Sequence, residues 1–233
     1  MSHPTTPLDL TASALAGCLD HTVLAPDHTV AAVERACDEA VAFGFAAVSV
    51  SPYDVGRVAG RLAGSAVAPG GAVDIPLGQS GLRAKETAAG VCAEAGAREV
   101  DMVMNVVAMR SGALADVRDE IAAVRRVTEG LTLKVILECC YLTDAEKAQA
   151  CLLAVEAGAD FVKTSTGFGP GGATAQDVAL MARTVGDAAR VKAAGGIRTV
   201  DAVRAMLDAG AVRVGTSTSV AIMHEFASRQ KAE

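Results

Sequence analysis

The chain has no tryptophan, and aromatic residues make up only 3% of its 233 positions. That excludes an aromatic platform of the kind that stacks single-stranded nucleic acid. There is no basic run and the net charge is −6, so a polyanionic polymer is excluded as the partner. No stretch approaches about 18 uninterrupted apolar residues, and the N-terminus carries no apolar signal core. The expectation is a cytoplasmic protein with no membrane partner. Metal-ligand spacings are missing too. His3, His21, His28 and His224 are scattered, with no H-E-x-x-H. His21, near a strand end, reads as a hydrogen-bonded structural residue. Cys18, Cys37, Cys92, Cys139, Cys140 and Cys151 form no C-x-x-C pair and no regular framework, as expected of reduced cytosolic thiols. No Walker or dinucleotide fingerprint stands in its strand–helix setting.

Hydrophobic residues make up 51% of the chain. They are mostly Ala, Val and Leu, which suit tightly packed helix-on-strand layers. Short β-branched runs alternate with helical patterns about eight times, with no linker or composition break. The strands are expected at 19–24, 46–50, 70–77, 98–106, 131–138, 161–164, 190–193 and 212–215. A short helix is expected at 8–17, and Thr143 opens a capping-box pattern, Thr-Asp-Ala-Glu. Glu-Ala-Gly-Ala at 94–97 recurs at 156–159 and, as Asp-Ala-Gly-Ala, at 208–211. Each copy ends a helix and enters a strand. Regular alternation implies a parallel sheet covered by helices. Eight units imply a single (β/α)8 TIM barrel over residues 9–228, after a loose tail at 1–8. A doubly wound open sheet is the runner-up.

Side chains alternate faces along a strand. In 98–106, Val100, Met102 and Met104 form an apolar face for the helices, which turns Asp101 inward. The same parity turns Lys134, Glu138 and Lys192 inward and puts Lys163 on one face with Phe161 and Ser165. Only six lysines stand among fifteen arginines, yet Lys134, Lys163 and Lys192 fall inside strands. Each could be a satisfied interior ion pair. Two on adjacent strands with Asp101 nearby point further, to amine chemistry. A free lysine, with a pKa near ~10.4, is almost wholly protonated at neutral pH. Burial and a second cation both favour the neutral, nucleophilic form. Small residues then follow the last three strands: Thr166–Gly167, Gly195–Gly196, and Gly215 through Ser217 to Ser219. Barrels frequently bind phosphate there.

Several stretches resemble the deoxyribose-phosphate aldolases, class I aldolases with a barrel fold. They are Leu-Asp-His-Thr-Val-Leu at 19–24, Glu-Val-Asp-Met-Val-Met-Asn at 99–105 and Lys-Val-Ile-Leu-Glu at 134–138. The others are Asp-Phe-Val-Lys-Thr-Ser-Thr-Gly-Phe at 160–168, Val-Lys-Ala-Ala-Gly-Gly-Ile-Arg at 191–198 and Val-Gly-Thr-Ser at 214–217. The resemblance runs from about Leu19 to Ile222. It implies that Lys163 forms a Schiff base, that Lys192 tunes it and that Asp101 relays protons. It implies a supporting role for Asp20 and a phosphate site at Gly167, Gly195, Gly196, Gly215 and Ser217. It implies reversible cleavage of a phosphorylated deoxy sugar to two aldehydes, in deoxyribose phosphate catabolism, with no metal and no organic cofactor. A homodimer is the assembly common to such barrels. Asp74-Ile75-Pro76, Ala25, Thr216 and Thr218 depart from the family's usual residues, and Asp74 is expected on a strand near the pocket. The alternatives are a Schiff-base aldolase of this fold for a different aldehyde, and a non-catalytic phosphosugar-binding barrel.

Overall fold

The computed structural model describes residues 10–231. The expected tail at 1–8 lies outside them. The strands are β1 Leu19–Val23, β2 Ala47–Val50, β3 Ala68–Val73, β4 Glu99–Val103, β5 Thr132–Ile136, β6 Phe161–Lys163, β7 Arg190–Ala194 and β8 Arg213–Thr216. The helices are α1 Ala12–Gly17, α2 Val30–Phe43, α3 Val55–Arg61, α4 Leu82–Glu94, α5 Val106–Arg110, α6 Leu114–Val127, α7 Asp144–Glu156, α8 Ala175–Val185, α9 Val200–Asp208 and α10 Ser219–Gln230. All strand pairs are parallel, and β1 pairs with both β2 and β8, so the sheet closes in the order β1 to β8. The TIM barrel is therefore the fold, and the open sheet is excluded.

Local chemistry sets these boundaries. Thr29, Thr143, Thr174 and Thr199 cap α2, α7, α8 and α9, each hydroxyl accepting an N–H from the first turn. The capping box at Thr143 forms with Glu146. The recurring Ala-Gly-Ala phrase is one C-cap made three times. Gly96, Gly158 and Gly210 take φ of 95°, 89° and 109°. Behind them Ala97, Ala159 and Ala211 donate N–H to Cys92, Ala154 and Met206 oxygens at 2.9–3.0 Å. The left-handed glycine satisfies the last carbonyls and turns the chain into the next strand.

Three strands differ from expectation by more than one residue at an end. The third begins two residues earlier and stops at Val73, because Asp74 takes φ 59° and leaves the ladder. Asp74 is thus off the strand. The fourth stops at Val103, because Asn105 turns to cap α5, its Oδ1 accepting Ala108 N–H at 3.0 Å. The fifth stops at Ile136, and Glu138 has φ 54°. So Glu138 is not an inward strand residue.

The apolar core lies between sheet and helices, where Val100, Met102, Val135, Val162, Val191 and Ala193 are buried. The barrel interior instead holds a charged cluster beside Val103, Ile136 and Phe161. Asp20, Glu99, Asp101, Lys134, Lys163 and Lys192 are all buried inside it, and Arg213 joins them through its carboxylate contacts. Register levels the key groups: Asp101 stands opposite Lys134, Lys163 opposite Lys192, and Asp20 opposite Gly215.

Candidate active site

Asp101 is the junction of the interior. Its Oδ1 accepts from Lys134 Nζ at 2.8 Å. Its Oδ2 accepts from both Lys163 Nζ and Lys192 Nζ, each at 2.7 Å. Lys192 also lies 2.5 Å from Asp20 Oδ2, close in distance but without hydrogen-bond alignment. Asp20 Oδ1 accepts from Arg213 Nε at 2.9 Å. Glu99 closes the lower end against Lys134 and Arg213.

Counting sides explains the protonation. Four basic groups (Lys134, Lys163, Lys192, Arg213) face three carboxylates (Asp20, Glu99, Asp101). If all ionise, the interior carries one uncompensated positive charge, which is costly away from water. One amine must be the weakest holder of its proton, and it is Lys163. Burial pulls its pKa down and the Lys192 and Lys134 ammonium groups add to that; Asp101 opposes them without winning. The result is about 8. At pH 7 about one Lys163 in ten is then neutral, against about one in a few thousand for a free lysine. Lys134 goes the other way: burial lowers it, but Asp101, Asp20 and Glu99 together raise it. Burial raises the Asp101 carboxyl, yet Lys134, Lys163 and Lys192 outweigh that and hold it well below its usual range. Asp20 is held low likewise, by Lys192, Lys134 and Arg213 against burial.

A cavity of about 780 Å³ opens at the C-terminal ends of the strands. Of the three strand lysines, only Lys163 lines it. Lys192, Asp101 and Asp20 do not line it, and they connect to Lys163 through Asp101 Oδ2. Gly167, Gly195, Gly196, Gly215 and Ser217 all line the same cavity, so the expected lysine and the expected phosphate positions share one space. Their loops are clamped together. Thr164 Oγ1 donates to Ala194 O and accepts Ala194 N–H, both at 3.0 Å. A side chain at Gly172 would meet Gly195 O at 2.3 Å, so the loop after β6 rests directly on the loop after β7. Thr216 donates to Ile197 O at 2.7 Å and accepts Thr218 N–H at 3.1 Å. Thr218 opens α10 without a side-chain cap, which leaves first-turn N–H groups for an anion in the cavity.

Other expectations sort differently. Asp74 does not line this cavity; its Oδ2 accepts Ser80 N–H at 3.1 Å and lies 3.7 Å from Lys85 Nζ. Ala25 does line it. His21 holds Glu39 at 3.0 Å through Nε2 and stands at the cavity wall. The six cysteines are all unpaired, and only Cys140 is exposed. Sequence reasoning missed Glu99 and Arg213. Parity carries the signal for both, since they share a face with Asp101 and Gly215. Sequence reasoning placed Thr166 only among the phosphate candidates and missed its bond to Glu138, whose true setting has no periodic signal.

A closed barrel with a charged cluster inside it, opening on a cavity at the C-terminal ends of its strands, has the build of a barrel enzyme. Residues 14–223 match the DeoC/LacD family aldolases, and the chain belongs to that family. It is 50% identical over 226 residues to a deoxyribose-phosphate aldolase of Rhodospirillum rubrum, covering 97% of this chain and 95% of that one. It is 49% identical over 205 residues to one of Brevibacillus brevis, covering 88% and 93%. The tetrameric deoxyribose phosphate aldolase of Aeropyrum pernix superposes with a TM-score of 0.88 at 31% identity, covering 94% of this chain and 93% of that one.

Proposed function

We propose that this chain cleaves 2-deoxy-D-ribose 5-phosphate reversibly to D-glyceraldehyde 3-phosphate and acetaldehyde, through an imine on Lys163. The observation that carries it is the amine of Lys163, shifted to about 8 at the floor of a cavity whose wall is made by Gly167, Gly195, Gly196, Gly215 and Ser217. The neutral amine attacks the open-chain aldehyde carbon. The iminium then serves as electron sink. Loss of the C3 hydroxyl proton breaks the C2–C3 bond, releases the phosphorylated aldehyde and leaves an enamine. Protonation at C2 and hydrolysis free acetaldehyde. In the reverse direction the enamine attacks the phosphorylated aldehyde.

We assign the proton transfers of imine formation to Asp101 and Lys192, with water. Asp101 Oδ2 bridges the two amines at 2.7 Å each, a short path for a proton between them. Asp20 supports by holding Lys192 in place. The substrate phosphate takes the glycine loops and the amides that open α10. The reading extends to deoxyribose phosphate catabolism in the cytoplasm, supported by unpaired cysteines and by the absence, among the described residues, of a helix long and apolar enough to cross a membrane.

The test is reductive trapping. Acetaldehyde and borohydride leave a permanent two-carbon adduct on Lys163, mapped by mass spectrometry. Lys163→Leu forms no adduct and loses cleavage. Full cleavage by that variant would refute the assignment.

A further inference from the structure

Glu138 is one of two described non-glycine residues with positive φ, at 54°. A bulge puts it there. Leu137 N–H donates to Lys163 O and Cys139 N–H to Thr164 O, each at 2.9 Å. Two residues on one side therefore answer one on the other, and Glu138 is the extra residue. Left-handed backbone is unfavourable for a glutamate and persists only where the surroundings hold it.

What holds it is Thr166. The Glu138 carboxylate, 2% exposed, accepts Thr166 N–H at 3.3 Å to each oxygen. Thr166 Oγ1 donates its proton to Glu138 Oε2 and accepts Phe168 N–H at 3.0 Å. A hydroxyl has one proton and two lone pairs. The proton and one lone pair are spent, and one lone pair is left. Thr166 lines the cavity that Lys163 reaches. Burial raises the Glu138 carboxyl, with Thr166 and Lys163 partly opposing. Asp101 contrasts on both counts: three ammonium groups hold it low, and it lies beneath the cavity.

Resting on the aldolase reading, we propose that Thr166 and Glu138 form the proton relay for the substrate hydroxyl at the carbon being cleaved. Thr166 meets the substrate; Glu138 positions it and takes its proton. The C3 hydroxyl proton passes to Thr166 Oγ1 as the threonine's own proton passes to Glu138. The freed O–H electron pair forms the new C=O. The C2–C3 bond breaks, and its pair moves into the iminium to give the enamine. After the phosphorylated aldehyde leaves, the proton returns through Thr166 and water to C2, restoring carboxylate and iminium. No other reactant is consumed.

The test compares cleavage with borohydride trapping of acetaldehyde in the same full-length variants. In Glu138→Gln, kcat for cleavage is expected to fall about 100-fold or more. Trapping on Lys163 stays within about threefold of the parent, because imine formation does not use the relay. The acid limb of the kcat profile, which reports protonation of Glu138 once Lys163 is already engaged as the imine, is lost in the variant, while the limb near pH 8 that Lys163 gives kcat/KM stays. Thr166→Val reproduces the fall, and Thr166→Ser recovers to within about tenfold of the parent. The Glu138→Gln, Thr166→Val double variant is no worse than either single change. Equal losses of trapping and cleavage would overturn the relay, since Glu138 would then act on Lys163 itself. So would Glu138→Gln retaining both cleavage and acid limb, or Thr166→Ser doing no better than Thr166→Val. A parent that traps no acetaldehyde falsifies the Lys163 reading instead, and variant cleavage relative to the parent still judges the relay.

Discussion

Lys85 and Lys163 are both removed from water, and the chain uses them in opposite ways. Lys85 stands on α4 with no exposure, 2.5 Å from Glu120 Oε2 and 3.7 Å from Asp74 Oδ2. Two carboxylates face one amine. Asn105 Nδ2 donates to Glu120 Oε1 at 3.3 Å and Ser80 N–H to Asp74 Oδ2 at 3.1 Å, so the partners are held as well. Lys163 has the reverse ratio, sharing a single carboxylate oxygen with Lys192 at 2.7 Å each. Burial alone therefore does not make a reactive amine. A shortage of negative charge lowers the hold on the proton, as at Lys163, which also has a cavity in reach; Lys85 has neither.

The largest expected effect breaks this comparison from the structural side. Lys85→Met leaves Glu120 buried without its ion partner. Unfolding free energy is expected to fall by about 3–5 kcal/mol, read from denaturant melts. The Lys85→Met, Glu120→Leu double variant recovers much of it, since an apolar pair of similar volume replaces the ions. The pH midpoint of acetaldehyde trapping on Lys163 stays at its parent value in both. A midpoint that moved would mean the two lysines are not independent.

The sequence made Lys163 far easier to find than Lys85. A lysine inside a β-branched run breaks a period of two, and three such breaks on strands of one barrel must converge. Lys85 sits in a helix where charge is ordinary, and its burial depends on Glu120 and Asp74, 35 and 11 positions away. The glycine loops were legible because tight turns at positive φ need glycine, as at Gly167, Gly195 and Gly196. Depth was not. Parity turned Asp101, Lys134 and Lys192 inward and set Lys163 on one face with Phe161 and Ser165, but only the register puts Lys163 at the cavity and Asp101 below it. Glu138 was misread as an inward strand residue because a bulge resets parity and leaves no pattern to follow.

A second prediction sharpens the comparison from the reactive side. Lys163 has a folded pKa of about 8 and an unfolded value near 10.4. Between these values the unfolded chain binds more protons, so this group's contribution to stability rises with pH across that window. Below pH 8 its full cost is present. Lys163→Met removes a buried cation while Asp101 keeps two lysines. At pH 6–7 the variant is expected to be more stable than its parent, by at most about 3 kcal/mol, with the gap closing toward pH 10.5. A variant less stable than its parent at pH 6 would mean that Lys163 is held like Lys85.

The finest prediction tests the charge count itself. Lys192→Met leaves three basic groups facing three carboxylates, so Lys163 can keep its proton without leaving a charge uncompensated. Asp101 Oδ2 is also freed for Lys163 alone. The midpoint of trapping against pH is expected to rise above about 8, and each unit of rise costs about tenfold in trapping rate at pH 7. Asp20→Asn alters the count in the other direction, with four basic groups against two carboxylates, and is expected to lower the midpoint. Opposite signs from two neighbours that touch each other at 2.5 Å would be hard to obtain by disturbing the packing, because a packing defect moves both variants the same way. If both midpoints move together, the count is wrong, and burial alone sets Lys163.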